Sequence, residues 1–329
     1  MPAPLLIPSP DSKRDWPRWR DRRVLELYKK YAAYLQLDFF SFQRYFLIPP
    51  APYKFSELQL IMLSGAKRIG KSWIDGLATL PYVTCPGAEI RLYAPVHDLA
   101  MREFVWIEKF LFGPLVNAKG QRIPALADRA PQLRTELVRD TFSRNPKHGL
   151  MMQWTWGTTI RSRSLAPNDD DWVGEPIDLG IICEPGKFPD LDHSYTGVIK
   201  PNLEDRNGVV RVAGTIDRLG MKDLHEKAHD HDEYPTNFCI CEVPRWANKT
   251  LFAGMSIADL QERIIQERRD SAWKDFSINW LGLWSVHAKT AIEHWDKDIH
   301  VKLIREASYI KLLGGPPQGW VEFIAMDTG

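Results

Sequence analysis

The stretch that most constrains this chain is Gly65-Ala66-Lys67-Arg68-Ile69-Gly70-Lys71-Ser72. It fits G-x-x-x-x-G-K-[ST], the phosphate-binding loop of nucleoside triphosphatases. Its flanks make the match specific. Leu58-Gln59-Leu60-Ile61-Met62-Leu63 just before it is a short apolar run of the kind that forms a buried parallel strand. Trp73 to Leu80 after it is compatible with a helix despite Gly76. Strand, glycine-bounded turn and helix is the context this loop needs. The turn lets backbone N–H groups converge on phosphate, and the helix N-terminus adds partial positive charge. In that chemistry Lys71 reaches the β- and γ-phosphates of ATP and the Ser72 hydroxyl holds Mg²⁺.

With 329 residues the chain is longer than one compact core usually holds, so a large α/β domain with appendages is expected. Its 43 basic and 42 acidic side chains nearly cancel, so any nucleic-acid surface has to be a local patch. No apolar run is long enough to span a bilayer, and the N-terminus lacks the layout of a signal peptide. Cys85, Cys183, Cys239 and Cys241 are too scattered for a disulfide framework, which predicts core cysteines in a reducing compartment.

Along the chain, residues 1 to 15 form a proline-rich arm. Trp16 to Leu37 has helical apolar spacing and a basic opposite face, suited to DNA, to a neighbouring subunit or simply to water. Gln43 sits within an aromatic cluster, and its amide carries a donor and an acceptor, suited to an adenine edge or simply to core packing. Glu89 to Pro95 and Asp98 to Leu111 form a further β–α unit. Residues 119 to 149 are polar and broken, and are expected to be a surface excursion. Met151 to Trp156 and Thr158 to Ser164 form a hairpin that turns at Gly157. Ile177 to Glu184 is a buried strand closed by an acid, the outline of a Walker B strand, with Cys183 where an aspartate is expected. Glu184 has the place of the general base that activates water. Thr215, at the end of the strand Val209 to Thr215, is placed to sense a γ-phosphate, with Arg218 just beyond. His225, His229 and His231 lack a closed ligand set, so they fit a solvated turn better than a zinc site. Ser256 caps a helix running to Arg269.

In this order the parts resemble the large terminase subunit of tailed phages, from about Phe39 to the C-terminus. The resemblance implies an ASCE-type P-loop NTPase: a doubly wound, mainly parallel sheet with flanking helices and a small helical subdomain. It implies that Gln43 reads adenine and that Lys67 stands beside Lys71 as a second phosphate-facing cation. It also implies an arginine supplied in trans, for which Arg161 and Arg163 are the nearest substitutes. Phe323 to Gly329 resembles the opening strand of an RNase H-like nuclease domain, in which Asp327 would bind metal. One such carboxylate makes an incomplete site, so no DNA cleavage is expected. The organisation expected is an arm and basic helix over 1–38, the ATPase core over 39–250, a helical linker over 251–313 and the start of the nuclease domain over 314–329. The implied activity is ATP-driven packaging of double-stranded DNA by a homo-oligomeric ring, a pentamer. Portal protein and the small terminase subunit would be its partners, in the host cytoplasm and away from any membrane. A nucleotide-binding docking module with weak hydrolysis, which Cys183 favours, and a helicase of related fold are the competing expectations.

Overall fold

The computed structural model describes residues 23–35, 37, 40–49, 53–116, 120–145, 149–165, 174–215, 219–229 and 237–283. The N-terminal arm, Arg218, His231 and Asp327 with its strand lie outside the described residues.

Two N-terminal helices, α1 (Leu25–Tyr34) and α2 (Ser41–Leu47), lead into strand β1 (Leu60–Gly65) and the helix after the loop, α3 (Lys71–Val83). Next come β2 (Glu89–Ala94), α4 (Met101–Phe112), the two-residue strands β3 (Leu115–Val116) and β4 (Arg122–Ile123), β5 (Met151–Gln153) and β6 (Thr159–Ser164). Then follow β7 (Leu179–Ile182), β8 (Val209–Gly214), α5 (Leu219–His229), β9 (Phe238–Val243) and α6 (Ile257–Asp270).

Seven strands form one sheet in the order β5-β6-β2-β7-β8-β1-β9, parallel except for β5, which pairs antiparallel with β6. The expected β5–β6 hairpin turns at Gly157, whose φ of 87° suits a glycine. Every position of β1 and of β8 is buried, as parallel strands covered on both faces require. Alternation divides them between two cores. Ile61 and Leu63 join the side holding α1 to α4, while Leu60 and Met62 join the side holding Leu191, Ile199, Met221 and Leu224. This is a doubly wound sheet, and β8 stands between β1 and β7 in ASCE fashion.

One feature corrects the sequence reading. The stretch after β3 is no mere surface excursion, because Ile123, Leu126, Ala127 and Leu133 are buried in the main core. A third apolar cluster, Phe252, Ile264, Phe276, Trp280, Leu281 and Leu283, forms the small helical unit after the sheet. Arg211, on the interior strand β8, is fully buried, an outcome no local pattern foretells. Its guanidinium donates to the Phe46 and Leu47 carbonyls at the end of α2 and lies 5.2 Å from the Phe46 ring centroid. Helix-end carbonyls and aromatic faces both favour a cation.

Candidate active site

The loop begins where β1 ends. A Cβ on Gly65 would come within 2.1 Å of Ile69 Cδ1, the far end of a side chain that would have to move aside to admit it. Gly70 turns the chain into α3 at φ 90°, beside Arg68 at φ 67°. The turn is pinned from below. Ala66 N–H donates to Val243 O at 3.0 Å, Ser64 Oγ donates to Gly282 O at 2.8 Å and Asn248 Nδ2 donates to Arg68 O at 2.9 Å. Lys71 Nζ donates to Gly65 O at 3.1 Å, to Ala66 O at 2.8 Å and to Thr215 Oγ1 at 2.9 Å. Thr215 in turn donates to Gly65 O at 3.0 Å. The structure thus joins Lys71 and Thr215, as the sequence suggests, and leaves Lys67 and Arg68 exposed on the loop.

Two strand spacings from β1, about 10 Å, β7 delivers Cys183 and Glu184. Glu184 has a left-handed backbone, φ 51° and ψ 54°, which is uncommon for a non-glycine residue and turns its side chain out of the strand. Its Oε1 accepts from Arg102 Nη1 at 2.7 Å. Arg102 lies in the first turn of α4, and the next residue, Glu103, reaches the same strand end. The Ser72 hydroxyl and the Cys183 thiol both lie near the Glu103 carboxyl group. Glu103 is 3% exposed and Asp75 1% exposed, and neither Asp75 oxygen nor Glu103 Oε2 has a hydrogen-bond partner.

Packing explains why two acids share so small a space. A Cβ on Gly76 would come within 2.8 Å of Trp106 Cβ, so α3 and α4 touch there backbone to backbone. Their neighbours Asp75 and Glu103 are carried together. Burial, and then the Glu103 charge, push the Asp75 carboxyl well above the carboxylate range, against the pull of Arg211 and Lys71. Burial likewise raises Glu103, partly offset by the Ser72 hydroxyl. The Cys183 thiol is raised well above the ordinary thiol value, by burial first and by Glu103 and Asp75 next, so it stays protonated.

The remaining predicted residues lie elsewhere. Gln43 is buried in α2 with its Oε1 accepting from Phe40 N–H at 3.0 Å, which closes the first turn of the helix. Arg161 and Arg163 are on β6, with β2, β7 and β8 between them and β1. Arg163 grips Glu175 through Nη2 at 3.0 Å, alongside Arg91. Neither arginine belongs to the pocket of its own chain. His225 pairs with Glu242 at 2.9 Å.

Arg102, Glu103 and Asp75 were not singled out from the sequence. The one available signal was the empty acid position at Cys183, which asks where the missing carboxylate comes from. Glu103 reaches the same strand end only through the packing of α4.

No protein-family model and no curated protein matches the sequence. Solved structures do resemble the fold. The large terminase ATPase domain of Thermus phage P74-26 aligns over 78% of this chain and 98% of its own, with a TM-score of 0.53 and 14% identity. The fold is that of a phage terminase ATPase domain. The bacteriophage HK97 large terminase aligns over 78% of this chain with a TM-score of 0.52 and 14% identity, and the match spans 55% of its length. What this chain shares with both is the fold.

Proposed function

We propose that this chain is an ATP-hydrolysing motor subunit that drives double-stranded viral DNA into a procapsid. The observation that supports this most is the placement of Lys71, Thr215 and Glu184 at the ends of three neighbouring strands, in a fold like that of terminase ATPase domains. Ligands of open α/β sheets bind outside the carboxyl ends of the strands, and that is where these groups lie.

In this reading the backbone N–H groups from Lys67 to Ser72 cradle the phosphates, and Lys71 exchanges the carbonyls of Gly65 and Ala66 for phosphate oxygens. Lys67 adds a second cation. Glu184 leaves Arg102 and takes the proton of the attacking water. Thr215 follows the γ-phosphate, and Gln43 reads the adenine edge. Arg161 or Arg163 would act on a neighbouring subunit's site, which ties turnover to assembly of the ring. Among the described residues no three His, Cys, Asp or Glu side chains form a closed metal site. Magnesium does not need one, since it keeps several waters and binds through few protein oxygens plus phosphates. The Ser72 hydroxyl and the partnerless Glu103 oxygen fit that need. Magnesium, when bound, neutralises charge on the transferring phosphoryl group. DNA would be held by its phosphates, independently of sequence, with portal protein and the small terminase subunit as partners.

Steady-state ATP turnover is the test. Glu184→Ala is expected to lower turnover roughly 10²- to 10⁴-fold while nucleotide still binds. An unchanged rate would overturn the assignment. A second reading, a docking module that binds nucleotide and barely hydrolyses it, draws on the neutral thiol at Cys183 and on the Arg102–Glu184 pair. It expects Cys183→Asp alone to raise turnover many-fold, whereas the motor reading expects no such gain.

A further inference from the structure

We infer that Glu103 supplies, from helix α4, the metal-organising carboxylate that β7 lacks at Cys183, and that it does so for a hydrated divalent cation carried by a nucleoside triphosphate. The inference rests on the nucleotide-binding reading above.

Three observations lead there. First, Cys183 fills the place of a strand-end acid, yet its thiol is fully buried and its Sγ lies 3.8 Å from Ile181 O, turned back on its own strand. A protonated thiol is a poor partner for magnesium, which takes oxygen. Second, Glu103 faces both Cys183 and Ser72, the two positions between which such a carboxylate has to act. Third, its Oε2 is buried at a residue 3% exposed and has no hydrogen-bond partner, and both Asp75 oxygens share that condition. Buried polar atoms in native proteins are paired almost without exception, so an orphaned carboxylate oxygen beside a candidate metal ligand calls for a partner such as a water or an ion. A water in the inner shell of a cation on Ser72 would supply one.

The geometry also divides the work of a single helical turn. Arg102 and Glu103, adjacent on α4, meet Glu184 and Cys183, adjacent at the end of β7. Arg102 holds the water-activating acid and Glu103 positions the cation through its water. Glu103 is therefore a positioning residue.

Mn²⁺ binding followed by electron paramagnetic resonance, with the non-hydrolysable analogue AMP-PNP present, tests the inference. Glu103→Gln is expected to weaken Mn²⁺ binding roughly 10- to 100-fold, the usual effect of losing an outer-shell partner. The affinity for AMP-PNP in EDTA should be unchanged. Adding Cys183→Asp to Glu103→Gln moves the carboxylate to the strand and is expected to restore Mn²⁺ binding. Mn²⁺ affinity in Glu103→Gln equal to that of wild type overturns the inference. Glu103→Asp, which keeps the charge but withdraws it, gives the same decision if Glu103→Gln does not fold: unchanged affinity there overturns it too. Wild-type protein that binds no AMP-PNP even in EDTA refutes the nucleotide-binding reading itself, a different result from tight nucleotide binding with indifferent metal.

Discussion

Arg102 lies 2.7 Å from Glu184 with 72% of its side chain exposed, so the pair is a clasp that can open. Ion pairs this exposed are worth about 0–1 kcal/mol, and 1 kcal/mol is about a fivefold change in rate. Arg102→Ala is therefore expected to raise ATP turnover by up to about fivefold. A loss beyond about tenfold in the same assay would place Arg102 among the groups that act on the phosphate. The thiols make a second residue-scale prediction. Burial pushes Cys239 up to about 11 and Cys241 up to about 12, and drives Cys85 and Cys183 upward as well. Only the thiolate reacts, and it forms only as pH approaches the raised value, so at pH 8 about one Cys239 thiol in a thousand is ionised. Folded protein should resist iodoacetamide at pH 8 and label fully in denaturant. Rapid labelling of the native state would contradict the burial described here.

At the scale of elements, α4 is what brings Glu103 to the pocket, and Gly76 is what lets α4 approach. Gly76→Ala sets a methyl 2.8 Å from Trp106 Cβ and 3.2 Å from Ile107 N, which is backbone. The helices must part, and a loss of about 1–3 kcal/mol is expected in urea unfolding. A neutral result would mean that the helices have slack. Arg211→Met keeps bulk but strands the buried carbonyls of Phe46 and Leu47, for an expected loss of about 3 kcal/mol. A change below about 1 kcal/mol would show that β8 does not depend on that charge. These two elements also mark how far the sequence carries. The strand, loop and α3 were legible because each is a local pattern, and so were β7 with Glu184 and β8 with Thr215. Glu103 was hidden because it precedes Phe104, within the apolar face that defines α4, and becomes part of the site only through tertiary contact. Arg211 was hidden for a related reason: a strand pattern fixes its face but not the carbonyls waiting there. For Gln43 the residue type suggests an adenine reader, while the helix turn that its amide oxygen closes is visible only in the structure.

For the whole molecule, the helical unit after β9 bears on the phosphate loop. Gly282, at φ 74°, lies so close that a Cβ there would come within 2.8 Å of Ala66 N and 2.6 Å of Val243 O. Gly282→Ala is expected to weaken nucleotide binding several-fold by displacing the loop, a change that equilibrium titration with a fluorescent ATP analogue would detect. If the molecule is a DNA motor, its hold on duplex DNA should fall steeply with salt and hardly vary with sequence. The central claim is that a cradle of amides and Lys71 receives a triphosphate opposite Glu184. A crystal structure with a non-hydrolysable ATP analogue and magnesium tests it most directly. The account predicts phosphates in the loop, Lys71 released from the carbonyls of Gly65 and Ala66, and Glu184 turned from Arg102 toward a water at the γ-phosphate. Analogue bound elsewhere, or bound with Lys71 and Glu184 still in their present contacts, would contradict it.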